Sequence, residues 1–537
     1  KSTVLARRFH THGLGWKTLG AVLDKQGLVE QALQAMQKAA HLLPEDPGVH
    51  NDFGLLLYKK GQLTEAECQF NIARKIKPDL MAAMCNLGNL LRAQGRLVES
   101  EEILRRAIKI ESNASLYNNL GATLLELGRI IEAEACFRRA LNISPGFALA
   151  HINIGVCLRK QGRLTEAIEE QRRAVKLEPH NTEQLSNLLF TLNYSTNAVD
   201  FLLEEARKYG RIVKMKAKEP LTSWQCPAQP ERLRVGLISG DLYNHPVGFF
   251  LESILGTLGS DRLELIAYPT NPKADDLTGR IKKNFSAWKP LFGMGDEAAA
   301  RMIHADGVHL LLDLSGHTSH NRLPMLAWKP APVQASWLGY FATTGVTEID
   351  FFLADKVGVR EAQKENFTEA LWYLPDTRLC FSAPEADLPV TSLPALTNGH
   401  ITFGCFQLLT KVGDEVLKVW STILLALPEA RLRWQCAQFG DPAVVKQLLE
   451  RLQSCGIDPE RVTVHGTMPR FHYLAAHAEV DLILDSFPFP GGTTTCEALW
   501  MGVPTLTLAG NSLLSRQGAS LLTAAGLSEW EENGRIL

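Results

Sequence analysis

The 537-residue sequence lacks several features that would assign it to a specialised class of protein. Its ten cysteines form no Cys-x-x-Cys pair, which argues against a zinc site or a disulfide framework and favours a reducing, cytoplasmic compartment. No apolar run reaches the ~18 residues of a membrane-spanning helix, and the first residues contain no signal-peptide core. The formal net charge of -2 indicates neither a nucleic-acid surface nor an acidic-membrane surface. The composition therefore predicts a globular cytoplasmic protein that binds neither nucleic acid nor membrane, with roughly three domains for its length.

Five repeats occupy the first third of the chain, with a period of about 34 residues. Their first glycines are Gly20, Gly54, Gly88, Gly121 and Gly155, and their second glycines are Gly27, Gly61, Gly95, Gly128 and Gly162. Small residues follow at Ala32, Ala66, Ser100, Ala133 and Ala167, and four repeats close on Pro44, Pro78, Pro145 and Pro179. This pattern is typical of the tetratricopeptide repeat, in which pairs of antiparallel helices stack into a superhelix.

A polar residue stands two positions before the first glycine of every repeat. These residues are Thr18, Asp52, Asn86, Asn119 and Asn153, and Asn187 continues the series beyond the fifth repeat. The first helices of such repeats line the concave face of the superhelix, and an asparagine amide offers donors and an acceptor to a peptide backbone. The series therefore favours a ladder that holds a peptide or protein substrate in the groove. Hydrogen bonding between neighbouring repeats is the alternative.

The pattern of the chain changes after the repeats, which we place at residues 1–190. Residues 191–230 are interpreted as a linker with transition helices. Short β-rich runs such as RLRVGLIS and VHLLLDLSG then indicate one lobe over 231–385, and HITFGCF, VDLILD and TLTLAG indicate a second over 400–537, joined by a proline-rich link at 386–399. Strand–helix alternation predicts two parallel sheets, with ligands at the carboxyl ends of their strands.

A turn with few side chains, FPFPGGTTTCEALW, follows the strand VDLILD. Gly491 and Gly492 allow the backbone to approach a ligand closely, and the helix that follows offers free N–H groups together with the hydroxyls of Thr493 and Thr494. Glu497, about one helical turn further along, suits the two hydroxyls of a ribose. The turn therefore predicts a nucleotide site, and an ordinary strand–helix turn without a ligand is the alternative.

One lysine of the same lobe completes the predicted diphosphate site. Lys411 follows the strand HITFGCF, and the chain contains no Asp-x-Asp motif to hold a bridging metal ion. Lys411 and the helix end are therefore expected to neutralise the leaving group with neither a metal nor another cofactor. A solvated surface lysine is the alternative.

Taken in order, the repeats, NHPVGFF, KPAPVQASWLGYFATTG, FQLLTK and GGTTTCEALWMGVP resemble the protein O-GlcNAc transferases. Their wider glycosyltransferase family includes the SPINDLY-type protein O-fucosyltransferases. The resemblance covers nearly the whole chain and implies an α-helical TPR superhelix followed by an α/β GT-B glycosyltransferase region of two Rossmann-like domains. It also implies inverting, metal-independent transfer of one sugar, N-acetylglucosamine from UDP-GlcNAc in the O-GlcNAc transferases, to Ser/Thr hydroxyls of proteins held along the repeats.

The resemblance assigns three residues to the reaction beside Lys411. His245, in SGDLYNHP, matches the family's histidine in the acceptor–sugar region, and Asp306 and His309, in HADGVHLLLDLSG, match its Asp-Gly-Ile-His positions. His245, His309 or a water relay to Asp306 are alternative general bases. A capping role for His245 and a buried structural role for His309 are the other interpretations.

The resemblance assigns a further set of residues to the nucleotide. Lys411 matches the diphosphate lysine, the pair Thr493 and Thr494 the phosphate-binding threonines, and Glu497 the ribose acid. Arg470 replaces a base-stacking lysine, and Met468 and Pro469 fall where backbone groups read the uracil.

Several positions depart from the O-GlcNAc transferase pattern. Gln407 stands one residue early and Leu408 takes the usual glutamine position, Gly492 replaces a histidine, Tyr473 replaces a base-side histidine, and Glu497 replaces an aspartate as in the SPINDLY branch. Three functions therefore stay open: transfer from UDP-GlcNAc, transfer from another donor such as GDP-fucose, and a repeat scaffold without catalysis.

Overall fold

The computed structural model describes residues 12–195, 199–258, 261–384, 386, 388–528 and 531–532. The chain divides into two compact units, residues 1–157 and residues 158–537, so the division falls inside the repeat region. Helix pairs fill the first unit: α1 (Gly13–Lys25) with α2 (Val29–Leu42), α3 (Pro47–Lys59) with α4 (Leu63–Ile76), α5 (Met81–Ala93) with α6 (Leu97–Ile110), and α7 (Ala114–Glu126) with α8 (Ile130–Ile143). Next come α9 (Ala148–Lys160), which crosses the boundary, and α10 (Leu164–Leu177). The predicted tetratricopeptide repeats are confirmed.

The repeat consensus follows from how closely these helices approach one another. A Cβ atom on Gly54 would lie 2.7 Å from the ring of Phe70, and one on Gly121 would lie 2.7 Å from the ring of Phe137. The second glycines end each first helix with φ between 73° and 82°, a left-handed conformation that side chains with a Cβ rarely adopt. The small residue of each repeat is fully buried between the helices, namely Ala32, Ala66, Ser100, Ala133 and Ala167.

The second unit continues with α11 (Thr182–Leu192) and α12 (Val199–Lys216) and then forms a first sheet. Its strands are β1 (Leu233–Ser239), β2 (Leu263–Pro269), β3 (Ala287–Trp288), β4 (Leu310–Asp313), β5 (Val333–Ser336), β6 (Phe351–Asp355) and β7 (Ala370–Leu374). All pairs are parallel, in the order β3-β2-β1-β4-β5-β6-β7. Its helices are α13 (Pro246–Thr257), α14 (Asp276–Lys282), α15 (Asp296–Ala305) and α16 (Leu323–Leu326).

A second parallel sheet follows the short helix α17 (Ala395–Asn398). Its strands are β8 (Thr402–Cys405), β9 (Arg431–Gln435), β10 (Val462–His465), β11 (Leu482–Leu484), β12 (Thr505–Leu508) and β13 (Glu531–Glu532), in the order β10-β9-β8-β11-β12-β13. Its helices are α18 (Asp414–Ala426), α19 (Pro442–Ser454), α20 (Arg470–Ala475), α21 (Thr493–Trp500) and α22 (Gln517–Ala524). The two predicted lobes are thus present, although the sequence patterns missed the strands β3, β7 and β13.

The two lobes share apolar contacts. Cys496 of α21 and Leu521 of α22 belong to one buried cluster with Val247 and Leu251 of α13 and with Leu379. These contacts bring the carboxyl-end loops of the second sheet against the first lobe. Within the described residues, no helix has both the length and the apolar content needed to span a membrane.

Candidate functional site

Lys411 lies on a short 3-10 turn, Leu409–Lys411, just after β8. Its ammonium donates to Gln407 Oε1 at 3.2 Å and to the Pro490 carbonyl at 3.1 Å. The ammonium also lies 4.2 Å from the centroid of the Phe489 ring, over its face. Burial lowers the pKa of Lys411 to about 8, against the opposite effect of Asp485. Lys411 is therefore a fixed cation in a loop cluster at neutral pH, and the interpretation as a solvated surface lysine is wrong.

Asp485 organises the loop that follows β11. Its Oδ1 accepts from the backbone N–H groups of Gly491 at 2.8 Å and Ser486 at 2.9 Å, and its Oδ2 accepts from the Thr507 hydroxyl at 3.0 Å. Gln407 Nε2 donates to Oδ1 at 3.2 Å. Burial raises the pKa of Asp485 to about 6, so at neutral pH the carboxylate is charged and faces the charged Lys411. Sequence reasoning missed this role of Asp485. The feature that could have indicated it is a single acidic residue at the end of the apolar strand VDLILD.

The glycine turn leads directly into α21. A Cβ atom on Gly491 would collide with Gln407 Nε2 and with the hydroxyls of Thr494 and Thr495, so no larger residue fits. Gln407 Nε2 donates to the Thr494 hydroxyl at 2.7 Å, whereas the buried hydroxyls of Thr493 and Thr495 have no hydrogen-bond partner among the described residues. Since the first N–H groups of a helix also lack intrahelical partners, this end of α21 offers unused donors beside Lys411.

Glu497 lies further along α21 and is almost completely buried, at 2% exposure. It forms an ion pair with the guanidinium of Arg470, the first residue of α20. Burial raises the pKa of Glu497, while Arg470 and a hydrogen bond from Tyr473 oppose that effect. Met468 and Pro469 precede α20 in the same loop. The structure thus brings the predicted ribose acid and the predicted base-side residues to one end of the second sheet.

His245 comes from the first lobe, in the loop after β1. It caps α13 through a contact from the Val247 N–H to its Nδ1 at 3.4 Å, and its Nδ1 lies 3.8 Å from Asp241 Oδ2. Burial lowers the pKa of His245, against the opposite effect of Asp241. One turn along α13, the ring of Phe249 lies 5.6 Å from the Arg470 guanidinium. His245 therefore caps the helix that faces Arg470 of the other lobe.

His309 lies at the amino ends of the strands of the first sheet, the end opposite to His245. It precedes β4, and its Nδ1 accepts from the Arg234 N–H at 3.1 Å, at the amino end of β1, while its buried Nε2 has no hydrogen-bond partner among the described residues. Asp306 accepts from the Tyr268 hydroxyl at 2.7 Å and pairs with Lys289. These contacts lie within the first lobe, and the assignment of both residues to the reaction stays a prediction.

The predicted peptide ladder makes hydrogen bonds between repeats. Asn86 Nδ2 donates to Asn51 Oδ1 at 2.9 Å, and Asn153 Nδ2 donates to Asn118 Oδ1 at 2.9 Å. Asn119 Nδ2 lies 2.9 Å from Cys85 Sγ in the same way. All the ladder residues are half-buried, namely Asp52, Asn86, Asn119, Asn153 and, in the second unit, Asn187. The alternative, hydrogen bonding between neighbouring repeats, is therefore realised for one N–H group of Asn86, Asn119 and Asn153. The second N–H and the carbonyl of each of these amides are separate groups, and peptide binding stays a prediction.

No group of three or more His, Cys, Asp or Glu side chains with the geometry of a metal site occurs among the described residues. Metal independence nevertheless stays a prediction, because it concerns the reaction and not only the side chains.

Comparison with known proteins agrees with this architecture. Residues 209–382 and 385–534 match the family model described as glycosyl transferase family 41, and residues 79–145 and 118–182 match tetratricopeptide repeat models. A solved structure of a Thermobaculum terrenum O-GlcNAc transferase mutant is 33% identical, with 84% of this chain and 87% of that chain covered and a TM-score of 0.79. Two-lobed GT-B architecture after tetratricopeptide repeats is thus shared with that protein.

Two plant proteins are similar over part of the chain. The probable UDP-N-acetylglucosamine–peptide N-acetylglucosaminyltransferase SPINDLY of Petunia hybrida is 36% identical over 360 residues, which is 66% of this chain and 38% of that protein. The similarly named protein SEC of Arabidopsis thaliana is 28% identical over 309 residues, which is 55% of this chain and 31% of that protein. The chain thus spans less than two fifths of the length of these plant relatives. The family match covers more than half of the chain, and the protein belongs to glycosyl transferase family 41.

Proposed function

We propose that this protein is a glycosyltransferase that moves one sugar from a nucleotide donor to Ser/Thr hydroxyls of protein substrates. The observation that carries the proposal is the Lys411 ammonium held beside the start of α21, where the Thr493 hydroxyl has no partner in the part of the chain that the structure describes. A cation and a helix N-terminus that converge on one point favour a diphosphate. Glu497 would then receive the ribose, and Arg470 with the backbone at Met468 would contact the base.

The proposed reaction is a direct displacement with inversion. The acceptor oxygen bonds to the anomeric carbon while the bond from that carbon to the diphosphate oxygen breaks, and the nucleoside diphosphate leaves with the electron pair. Lys411 and the N–H groups of α21 stabilise the charge that develops on the leaving group, so the reaction needs no metal ion. The hydroxyl proton passes to His245 or to water, and the lowered pKa of His245 keeps its imidazole unprotonated and able to accept at neutral pH.

The donor in this proposal is UDP-GlcNAc, as the names of the similar proteins suggest. A different donor such as GDP-fucose is favoured by two observations: a buried glutamate, Glu497, at the ribose position and Gly492 where O-GlcNAc transferases have a histidine. The protein substrate would lie along the half-buried ladder residues of the repeats.

A donor screen tests the proposal. The melting temperature is measured with UDP-GlcNAc and with GDP-fucose, and labelled donor is then incubated with the protein and a cell lysate. The true donor should raise the melting temperature by mass action and label Ser/Thr residues, while Lys411→Ala should reduce both effects. If GDP-fucose alone raised the melting temperature, GDP-fucose would take the place of UDP-GlcNAc as the proposed donor. If neither donor raised the melting temperature or labelled protein, the proposed function would be contradicted.

A further inference from the structure

The turn that ends the first helix of the fifth repeat lies against the turn that carries Lys411. A Cβ atom on Gly162 would lie 3.0 Å from the Val412 carbonyl oxygen and 3.1 Å from the Leu409 carbonyl oxygen. These two residues flank Lys411 on either side. The repeat backbone therefore touches the backbone of the lysine turn without an intervening side chain.

Arg451 of α19 fixes this contact. Its guanidinium donates to the Gln161 carbonyl at 3.0 Å and pairs with Asp414 at 2.6 Å. Asp414 begins α18, the helix that follows Lys411. Arg451 thus links the turn at Gly162 to α18, the helix that follows the turn of Lys411.

A second contact reaches Lys411 from the side of its ammonium. The Phe489 ring, which receives the ammonium on its face, packs against Tyr194 with ring centroids 4.7 Å apart. Tyr194 follows α11 and is 6% exposed, and the Arg159 guanidinium at the end of α9 lies 5.7 Å from its ring. Residues at the end of the repeats, Tyr194 and Arg159, thus pack around Phe489, the ring that contacts the Lys411 ammonium.

The equivalent glycines of the other repeats show that this contact is not a requirement of the repeat. All five second glycines share the left-handed conformation, yet a Cβ atom on Gly27, Gly61, Gly95 or Gly128 would meet no described atom within 4 Å. The contacts at Gly162 are therefore made in addition to those of the repeat itself. The fifth repeat is therefore adapted to its neighbour.

We propose that the end of the repeat array is a built-in part of the donor site, in which Gly162 and Tyr194 are positioning residues that hold Lys411 in place. This inference rests on the proposed function, because it assigns the positioned lysine to the donor diphosphate. It goes further in making the repeats a component of the donor site in addition to a support for the acceptor.

The sharpest test compares Gly162→Ala with Gly128→Ala. Both substitutions introduce the same left-handed strain, so both should lower the melting temperature, Gly162→Ala somewhat more because of its added backbone contacts. Only Gly162→Ala pushes the lysine turn, and a displacement of a few tenths of an ångström should lower kcat/KM for the donor by about 10-fold. Gly128→Ala should retain wild-type kcat/KM, and equal kcat/KM for the two variants would overturn the inference.

A second test follows the ionisation of Lys411 and does not depend on sugar transfer. Tyr194→Leu opens the outer side of Phe489 to water, which relieves the desolvation of the ammonium and should raise the pKa of Lys411 by about half a unit. The matched control is Phe352→Leu, because Phe352 belongs to the same buried cluster but packs against Phe367. The pKa is read from NMR titration of ¹³C-methylated lysines, with the Lys411 signal assigned by Lys411→Arg.

The two failures are distinguishable. A protein that turns over no donor but shows the raised pKa in Tyr194→Leu alone would lose its proposed function and keep the positioning of Lys411. Equal pKa values in Tyr194→Leu, Phe352→Leu and wild type would overturn the positioning, whatever the donor assay shows.

Discussion

The two lobes place a buried aspartate at the same point of their sheets and use it differently. Asp313 ends β4, the neighbour of β1, and Asp485 follows β11, the neighbour of β8. Asp313 accepts from the N–H groups of Ser315 and Gly316 at 3.1 and 2.9 Å, as Asp485 does from its own loop. Burial raises the pKa of both carboxyls to about 6. The shared device is a carboxylate that ties the loop after a strand to the sheet.

The surroundings of the two loops decide what each can do. The loop after Asp313 leads to His317, which is buried between the Ser186 hydroxyl at 2.8 Å and the Thr344 carbonyl at 3.0 Å. Its polar groups are thus used by the protein itself. The loop after Asp485 instead accepts a hydrogen bond from Lys411 and continues into a glycine turn. The hydroxyls of Thr493 and Thr495 that follow have no partner among the residues that the structure describes. The comparison teaches that a binding loop is recognised by the donors that it leaves unused, since the aspartate occurs in both lobes.

The largest expected effect comes from removing Lys411, the cation beside the loop of the second lobe. Lys411→Ala should lower kcat for transfer by about 10²- to 10³-fold, because stabilisation of the leaving group is lost in the transition state. Steady-state kinetics measure this, with Lys418→Ala, an exposed lysine on α18, as the control. Activity within a few-fold of wild type would remove Lys411 from the chemistry and with it the distinction between the lobes.

The paired glycines should separate binding from stability. Gly491→Ala collides with Gln407 and Thr494 and should weaken UDP binding by about 10-fold or more, because the helix end is displaced. Gly316→Ala, with φ of 53° and the Tyr340 ring in the way, should lower the free energy of unfolding by about 1–3 kcal/mol and leave UDP affinity unchanged. Titration calorimetry and denaturant unfolding measure the two quantities. Loss of UDP affinity in both variants would show that the first loop also serves the nucleotide.

The paired aspartates should differ in pH dependence. Because the pKa of Asp485 is raised to about 6, its carboxylate is lost as the pH falls through that value, and UDP affinity should fall with it. Asp485→Asn should abolish this fall of UDP affinity at acid pH (the acid limb) and should bind UDP about 10-fold more weakly at pH 7. Asp313→Asn should keep the acid limb, although the pKa of Asp313 is also raised to about 6. An acid limb that survives Asp485→Asn would assign the titration to another group.

The smallest expected effect concerns the buried glutamates. Glu497→Gln should raise the donor KM by about 3- to 10-fold with kcat nearly unchanged, because a ribose contact is equal in ground and transition states. Glu369→Gln is the first-lobe control, since Glu369 accepts from Thr343 and Thr344 within that lobe and should affect stability only. A fall in kcat for Glu497→Gln would place that carboxylate nearer to the reacting atoms.

The sequence predicted those features that are encoded locally. The repeats, their glycines and most strands follow from short-range periodicity, and the glycine turn and Lys411 follow from short motifs. For Asp306 and His309, a motif match gives the residue identities and not the end of the strands at which they lie, so their place in the sheet could not be predicted. The contact between Gly162 and the lysine turn joins residues about 250 positions apart, and nothing in the spacing of the repeats distinguishes Gly162 from Gly128.

The ion pair between Arg470 and Glu497 has a consequence for how a nucleotide would enter. The guanidinium pairs with Oε1 of the carboxylate that the ribose is proposed to use. If a ribose hydroxyl took that oxygen and released the arginine, the net gain from the contact would be only the difference between two hydrogen-bonded states. The internal partner would in that case set a lower limit on the hydrogen bonding that a nucleotide must offer to this buried carboxylate.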